Sequence, residues 1–415
     1  MTRSWWVRAH RYAGLYLAFF LVVAGITGSI LPFADDLDAW LNPAVRVRPV
    51  ADGTAALDAL DLRERALAIM PQARIDGLVL DQDISLGFKF WLSPRTNPST
   101  GLPSVLKANT LTLDPYTGGE MARAMEQPER LWPVTRQNLV PLLKAVHYRL
   151  ALPGSTGVWL FGLAAVIWTL DCFVGAYLTL PRTGGQQSRS PRNLRGETRA
   201  AWWIRWKRSW RVNWGASNRR VTFDLHRSGG LWIWFALLVL AWSAVGLNLR
   251  REVFEPVMEL LLPVVKSPAE ALPLLSKPLP DPGINWREAR AIGRHLMIER
   301  AQEAGFSVEH EAWLIYDAER GMYFYGARTS RDLPGRRSES YVVFDARTGQ
   351  YIAQAQPTGM AAGNTVSQWL FALHRAQVWG TSYRIIVSLM GLACALLSIS
   401  GIRLWAWKRR ASLKT

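Results

Sequence analysis

Six histidines stand in a chain of 415 residues, and four of them recur at matched spacings. His10 opens the run His10-Arg11-Tyr12-Ala13-Gly14-Leu15, and His226 opens His226-Arg227-Ser228-Gly229-Gly230-Leu231, 216 positions later. His147 in AVHYRL and His374 in ALHRAQ stand 227 positions apart. Each of the four precedes a long apolar segment. Two imidazoles facing each other across a helix bundle hold the iron of a porphyrin by its two axial positions. The expected pairs are His10 with His226 and His147 with His374, one pair near each face of a membrane, each holding one haem.

A flat macrocycle needs room beside its ligands. Gly14 lies four residues beyond His10 on the same helical face, and Gly25 and Gly28 continue that face. Gly230 repeats the offset beyond His226, followed by Ala241 and Ala244. Small residues also serve ordinary helix packing in membranes, which is the alternative reading. Arg11, Arg227 and Arg375 directly follow a histidine, and Arg149 follows His147 by two. Guanidinium groups there suit haem propionates, and suit lipid phosphate equally. Zinc fits less well, because two histidines per site fall short of three or four ligands and no carboxylate pattern completes a set. Cys172 and Cys394 both sit in apolar runs, which excludes a disulfide framework, a Cys-rich zinc site and the C-x-x-C-H attachment of covalent haem. His295 and His310 have no counterpart in the first half and read as ordinary domain histidines.

The elements that must position these rings are membrane spans. Hydrophobic residues make up 49% of the chain, yet the mean hydropathy is only +0.02. That balance excludes intrinsic disorder and a chain made wholly of spans, so apolar residues must be clustered between polar domains. Four runs reach the roughly 20 residues that cross a hydrocarbon core: Tyr12–Phe33, Thr156–Leu180, Gly229–Leu247 and Tyr383–Trp405. No A-x-A cleavage site follows the first, which reads as an uncleaved span. The formal charge of +17 comes from 49 Lys and Arg against 32 Asp and Glu. It concentrates between spans two and three, in Arg182, Arg189, Arg192, Arg195, Arg199 and others up to Arg227, opposed only by Glu197 and Asp224. Arg3, Arg8 and Arg11 precede span one, and Lys408, Arg409, Arg410 and Lys414 follow span four. The positive-inside rule then makes both termini and this loop cytoplasmic. Attraction to lipid headgroups, not nucleic acid, is the partner this charge implies. Trp202, Trp203, Trp206, Trp210 and Trp214 among the cations suit a helix in the headgroup layer.

The chain is internally duplicated. Besides the histidines, Leu62-Arg63-Glu64-Arg65-Ala66 and Trp286-Arg287-Glu288-Ala289-Arg290-Ala291 each begin a helix-like stretch. Thr112-Leu113-Asp114-Pro115-Tyr116-Thr117-Gly118-Gly119 resembles Val343-Phe344-Asp345-Ala346-Arg347-Thr348-Gly349-Gln350, both reading as strand–turn–strand. Each half is span, outer α+β domain, span, and the halves are expected as a parallel repeat about an axis along the membrane normal. The fold expected is thus a multi-pass α-helical membrane protein with four transmembrane helices and two α+β domains on the outer side. The divisions are 1–33 (N-terminus and first span), 34–143 (first outer domain), 144–181 (second span with its histidine segment) and 182–225 (basic loop). They continue as 226–248 (third span), 249–371 (second outer domain), 372–407 (fourth span with its histidine segment) and 408–415 (basic tail).

Asp171 lies inside span two, where an ionisable group is costly and a functional candidate. The favoured reading is an ion pair with Arg403; proton carriage is the alternative. Phe161, Trp168, Trp234 and Trp242 line the spans and suit either electron passage or core packing. No G-x-G-x-x-G unit, Ser-His-Asp set or H-E-x-x-H pattern is present, so a reductant must come from elsewhere, as quinol or a separate flavoprotein.

The duplicated HRxxGL opening, the four spans and the Asp-x-x-Thr-Gly outer segments resemble the PepSY-associated transmembrane family of iron-regulated bacterial membrane proteins, in particular its siderophore-iron reductases. The resemblance covers nearly the whole chain. It implies two non-covalent b-type haems in the membrane part, periplasmic PepSY-like domains, and electron transfer to ferric siderophore or another Fe(III) chelate with release of Fe(II). By motif, the haem ligands are His10, His226, His147 and His374. The competing functions are a non-enzymatic siderophore or iron permease and a ligand-sensing membrane protein.

Overall fold

The computed structural model describes residues 2–42, 47, 54–97, 99–127, 130–181, 197–266, 272–335 and 338–412, so Arg182, Arg189, Arg192, Arg195 and Lys414 of the basic segments lie outside the described residues. The helices are α1 (Arg3–Ile30), α2 (Ala34–Leu41), α3 (Ala59–Ile69), α4 (Leu139–Arg149), α5 (Thr156–Thr179), α6 (Glu197–Lys207), α7 (Asn218–Trp232), α8 (Trp234–Asn248), α9 (Glu255–Leu261), α10 (Trp286–Ala304), α11 (Ala362–His374) and α12 (Gly380–Ser412). The strands are β1 (Ala73–Arg74), β2 (Gly77–Val79), β3 (Phe88–Trp91), β4 (Ser93–Pro94), β5 (Thr110–Leu113), β6 (Glu120–Ala124), β7 (Val308–Asp317), β8 (Met322–Thr329), β9 (Ser340–Asp345) and β10 (Tyr351–Ala355). They divide into a helical unit (Met1–Leu37, Asn138–Leu260, Trp369–Thr415) and an α/β unit (Asp38–Gln137, Leu261–Gln368).

In the helical unit, Arg3–Leu41, Thr156–Thr179 and Gly380–Ala411 are long and apolar enough to cross a membrane. The third apolar run departs from expectation. In place of one helix over Gly229–Leu247, α7 and α8 meet at a 69° bend. The break falls at Ile233 (φ −108°, ψ 12°), just after Ser228-Gly229-Gly230, and small-residue pairs of this kind weaken a helix at a kink. Two tryptophans pin it. Trp232 Nε1 donates to the Trp210 carbonyl at 3.1 Å, and Trp234 Nε1 donates to the Cys172 carbonyl at 2.8 Å. The preceding Trp-rich segment is itself anchored to the end of α5. There Trp206 Nε1 donates to Thr179 Oγ1 at 3.3 Å and Ser209 Oγ donates to the Thr179 carbonyl at 2.9 Å.

α1 packs along α12, and α5 packs against both α1 and α8. The α1–α12 contact is made backbone to backbone. A Cβ added at Gly25 would lie 2.6 Å from the Gly391 carbonyl oxygen, and one added at Gly391 would lie 2.6 Å from that of Gly25. At Gly25, then, the packing reading of the small residues holds.

The α/β unit contains two hydrophobic cores, one per half of the sequence. In the first, α3 covers the antiparallel sheet β3-β5-β6 through Leu62, Ala66, Phe90, Leu111 and Leu113. In the second, α10 covers β7–β9 through Ala289, Met297, Leu314, Tyr325 and Phe344. Both helices begin on an Asx cap, Asp58 for α3 and Asn285 for α10. The two strand–turn–strand segments form as expected. Asp114 Oδ1 accepts from the backbone N–H of Tyr116 and Thr117, and Asp345 Oδ1 accepts from those of Arg347 and Thr348. Gly118 (φ 72°) and Gly349 (φ 73°) supply the left-handed turn.

The halves do not stay apart. β2 of the first segment adds antiparallel to β7 of the second, giving the order β10-β9-β8-β7-β2. Arg290 bridges the same seam, donating to Asp58 at 2.7 Å and to Glu311 at 2.6 Å. Arg294 and Tyr325 also donate to Glu311. Burial pushes the Glu311 carboxyl up, but the hydrogen bonds from Arg290 and Arg294 outweigh it and hold it down at about 2. A depressed carboxylate stabilises the fold fully above its ordinary value of about 4.5 and loses that contribution as pH falls toward 2. Hydrogen exchange in β7 and β8 is therefore expected to accelerate across that window beyond its intrinsic pH trend, and Glu311→Gln to flatten this response.

Candidate functional site: two histidine pairs

The helical unit brings the four histidines together in the expected pairs. His10 of α1 and His226 of α7 have ring centres 6.3 Å apart, with ring planes inclined by 57°. His147, in the last turn of α4, and His374, in the last turn of α11, also have ring centres 6.3 Å apart, inclined by 68°. The equality of the two spacings has a chemical meaning. A direct N–H···N bond at about 3 Å would draw the centres to roughly 5.2 Å. Metal–imidazole bonds of about 2.0–2.1 Å on each side, with about 1.1 Å from each nitrogen to its ring centre, give roughly 6.3 Å.

Hydrogen bonding settles which nitrogen faces that gap. His10 Nδ1 lies 2.8 Å from Asp171 Oδ1. A carboxylate only accepts, so Nδ1 carries the proton. His147 Nδ1 lies 3.0 Å from Thr27 Oγ1, whose own proton goes to the Val23 carbonyl at 2.7 Å, so here too the ring donates. The same holds for His374 Nδ1 and Ser243 Oγ at 2.7 Å, with the Ser243 proton on the Val239 carbonyl. His226 Nδ1 donates to Ser400 Oγ at 2.8 Å and the Leu397 carbonyl at 3.1 Å. With Nδ1 engaged in each ring, Nε2 is the nitrogen left to face the gap. Among the described residues no hydrogen-bond partner meets any of these four atoms. Each pair thus presents two inward-facing nitrogens, an arrangement that could hold one metal centre from two sides.

Glycines seat three of the rings on a neighbouring helix. A Cβ at Gly28 of α1 would lie 2.8 Å from His147 Cε1, one at Gly175 of α5 3.5 Å from His10 Cε1, and one at Gly401 of α12 3.3 Å from His226 Cε1. Gly14 and Gly230 instead face open space, with nothing within 4 Å of an added Cβ. Both line a cavity of about 760 Å³ that also touches His10, His226, Asp171 and Trp168. His10 and Thr27 are 17 residues apart on one helix, which separates the two pairs by about 25 Å along α1.

The family model for the PepSY-associated TM region matches residues 7–409. The chain belongs to this family. It is a membrane protein with three helices long and apolar enough to span the bilayer, or four when the bent α7–α8 pair is counted as one span. No curated protein matches it.

Within this PepSY-associated framework the remaining expected residues separate. Arg11 lines the cavity. Arg227 lines it too, but its Nη2 donates to Asp224 Oδ1 at 2.8 Å and to the Arg208 carbonyl at 2.9 Å. Arg149 lies half-buried beside Tyr148, 5.6 Å from that ring, and Arg375 is exposed. The expected Asp171–Arg403 pair does not form. Asp171 faces His10, and Arg403 lies over the Trp407 ring at 5.1 Å. Sequence reasoning passed over Thr27, Ser243 and Ser400. A signal for the first two was present, since Thr27 and Ser243 are 216 positions apart, the offset of His10 and His226. Among the described residues, no group of three or more His, Cys, Asp or Glu gathers around a common point.

Proposed function

We propose that this protein is a haem-containing reductase of the bacterial inner membrane, moving electrons across the bilayer to a ferric siderophore or other Fe(III) chelate in the periplasm and releasing Fe(II). One observation supports the reading above all: two imidazole pairs with centres 6.3 Å apart, every Nδ1 committed and every Nε2 left to face the gap. His10 and His226 would hold one b-type haem, and His147 and His374 a second, each without covalent attachment. Bound there, haem supplies reversible one-electron exchange between Fe(III) and Fe(II).

The chain's own residues do the rest. Thr27, Ser243, Ser400 and Asp171 hold the ring tautomers that aim Nε2 inward. Gly14 and Gly230, lacking side chains, leave the cavity broad enough for a flat ligand. Arg11, Arg219 and Lys408 line that cavity with no partner among the described residues, and are the cations available to propionates. Arg227 is the less available one, because Asp224 already holds it. Trp168 and Leu17 wall the same cavity against water.

The topology that goes with this function has the bent α7–α8 pair as the third of four crossings and both termini and the basic loop in the cytoplasm. The α/β unit then carries PepSY-like domains in the periplasm. Lys and Arg density supports that orientation, and the exposed Trp203 and Ile204 of α6 suit contact with lipid headgroups. The shared 216-residue offset and the equal ring spacings support a parallel repeat. Chelators built of hard oxygen donors favour Fe(III), so reduction weakens their hold. The electron donor is external, a quinol or a flavoprotein.

The purified protein is expected to be red, with a Soret band, split α and β bands on dithionite reduction, and two haems per chain. A ferric chelate added anaerobically is expected to reoxidise the reduced protein. A colourless protein from haem-replete cells overturns the reading, and an unchanged reduced spectrum removes the chelate as acceptor.

A further inference from the structure

The four ring anchors are unequal. Three histidines donate to neutral oxygens: His147 to the Thr27 hydroxyl, His374 to the Ser243 hydroxyl, and His226 to the Ser400 hydroxyl and Leu397 carbonyl. Only His10 donates to an anion, Asp171 at 2.8 Å. The Asp171 side chain is 12% exposed, and among the described residues no cation neutralises it, since Arg403 is turned to Trp407. The 227-residue offset carries Asp171 onto Ser398, which donates to the Cys394 carbonyl and leaves the second half without a matching carboxylate.

We propose that Asp171 makes the two pairs electronically unequal, holding iron at the His10–His226 pair at the lower potential and so directing electrons toward the His147–His374 pair. The inference rests on the haem reading above. A charge-assisted bond draws the Nδ1 proton toward the carboxylate and makes Nε2 the stronger donor. A stronger donor stabilises Fe(III) over Fe(II), and the low-dielectric surroundings leave the anion's field unscreened. The hydroxyl anchors of the other pair exert no such pull. With haem held at both pairs, His10 and His226 would support the donor side and His147 and His374 the acceptor side of a one-electron exchange, Fe(II) to Fe(III) at the first and Fe(III) to Fe(II) at the second, with no bond changing. Asp171 is a positioning residue here. It touches neither iron nor substrate and acts through His10.

The test is a spectroelectrochemical titration of the full-length haem-loaded protein, with His226→Ala and His374→Ala variants assigning each midpoint. Two potentials are expected, the lower belonging to the His10–His226 pair. Asp171→Asn is expected to raise that potential by at least a tenfold change in the oxidised-to-reduced equilibrium, about 59 mV for one electron, and to leave the other in place. If Asp171→Asn sheds that haem, Ser400→Asp serves instead, placing a carboxylate against His226 and lowering the same potential by a comparable factor. Two retained haems with both midpoints unmoved, or shifted together, overturn the inference and leave the haem reading standing. A protein that binds no haem overturns both.

Discussion

His226→Ala is expected to reduce bound haem from two per chain to one, and His374→Ala to remove the other one. Each substitution takes away one of two axial nitrogens while leaving the opposite ring fixed: His10 stays on Asp171, and His147 stays on Thr27. A single imidazole on one side does not complete a bis-histidine site. The two pairs are about 25 Å apart along α1, with separate anchors, so each loss is expected to be local and the losses to add. Pyridine haemochrome absorbance per chain reads the stoichiometry directly. A variant of either residue that keeps two haems shows the pairing to be wrong. Substituting His295 or His310 in the α/β unit is expected to leave haem content unchanged.

A second large effect is expected from Gly391→Leu, and it differs in kind. The added Cβ would lie 2.6 Å from the Gly25 carbonyl oxygen and 2.9 Å from the Ser29 amide nitrogen. Both are backbone atoms, which move only with their helix. Overpacking at such a contact costs about 1–3 kcal/mol or more. α1 carries His10 and Thr27, while α12 supplies Ser400 and the Leu397 carbonyl to His226. Prising the two helices apart therefore disturbs both pairs at once. Loss of haem from both sites is expected, with a lower aggregation temperature in detergent, read by fluorescence size-exclusion after heating. Loss from one site alone would mean that the pairs do not share the α1–α12 contact as a common support.

The pairing of the histidines was legible because duplication is a one-dimensional signal: equal offsets survive in the sequence whatever the fold does. Repetition likewise marked the two helix starts, 224 positions apart, and the two Asp-x-x-Thr-Gly turns, 231 apart, where Asp114 and Asp345 accept local backbone hydrogen bonds that complete the structure within a few residues. The apolar runs were legible for a similar reason, since crossing a bilayer demands length and composition and little else.

What needed the tertiary structure was every choice among partners distant in sequence. A helical period tells which residues share a face but not which neighbour that face meets, so Asp171 was expected against Arg403 and instead meets His10. Thr27 and Ser243 are hydroxyls bonded back to their own helix. Only the approach of α4 and α11 makes them acceptors for His147 and His374. Gly230 was read as space for a macrocycle. Gly230 does face open space, and with Gly229 it also precedes the 69° break, because adjacent glycines both remove side chains and loosen the helix. β2, three residues long, carries too little pattern to announce that it joins the other half's sheet. Sequence alone determined the recurring motifs, the apolar runs and which histidines pair, all properties of composition and spacing along the chain. The tertiary structure decided the ring tautomers, the anchors and the single carboxylate that sets one pair apart, because hydrogen bonds between helices depend on how each helix is rotated about its own axis.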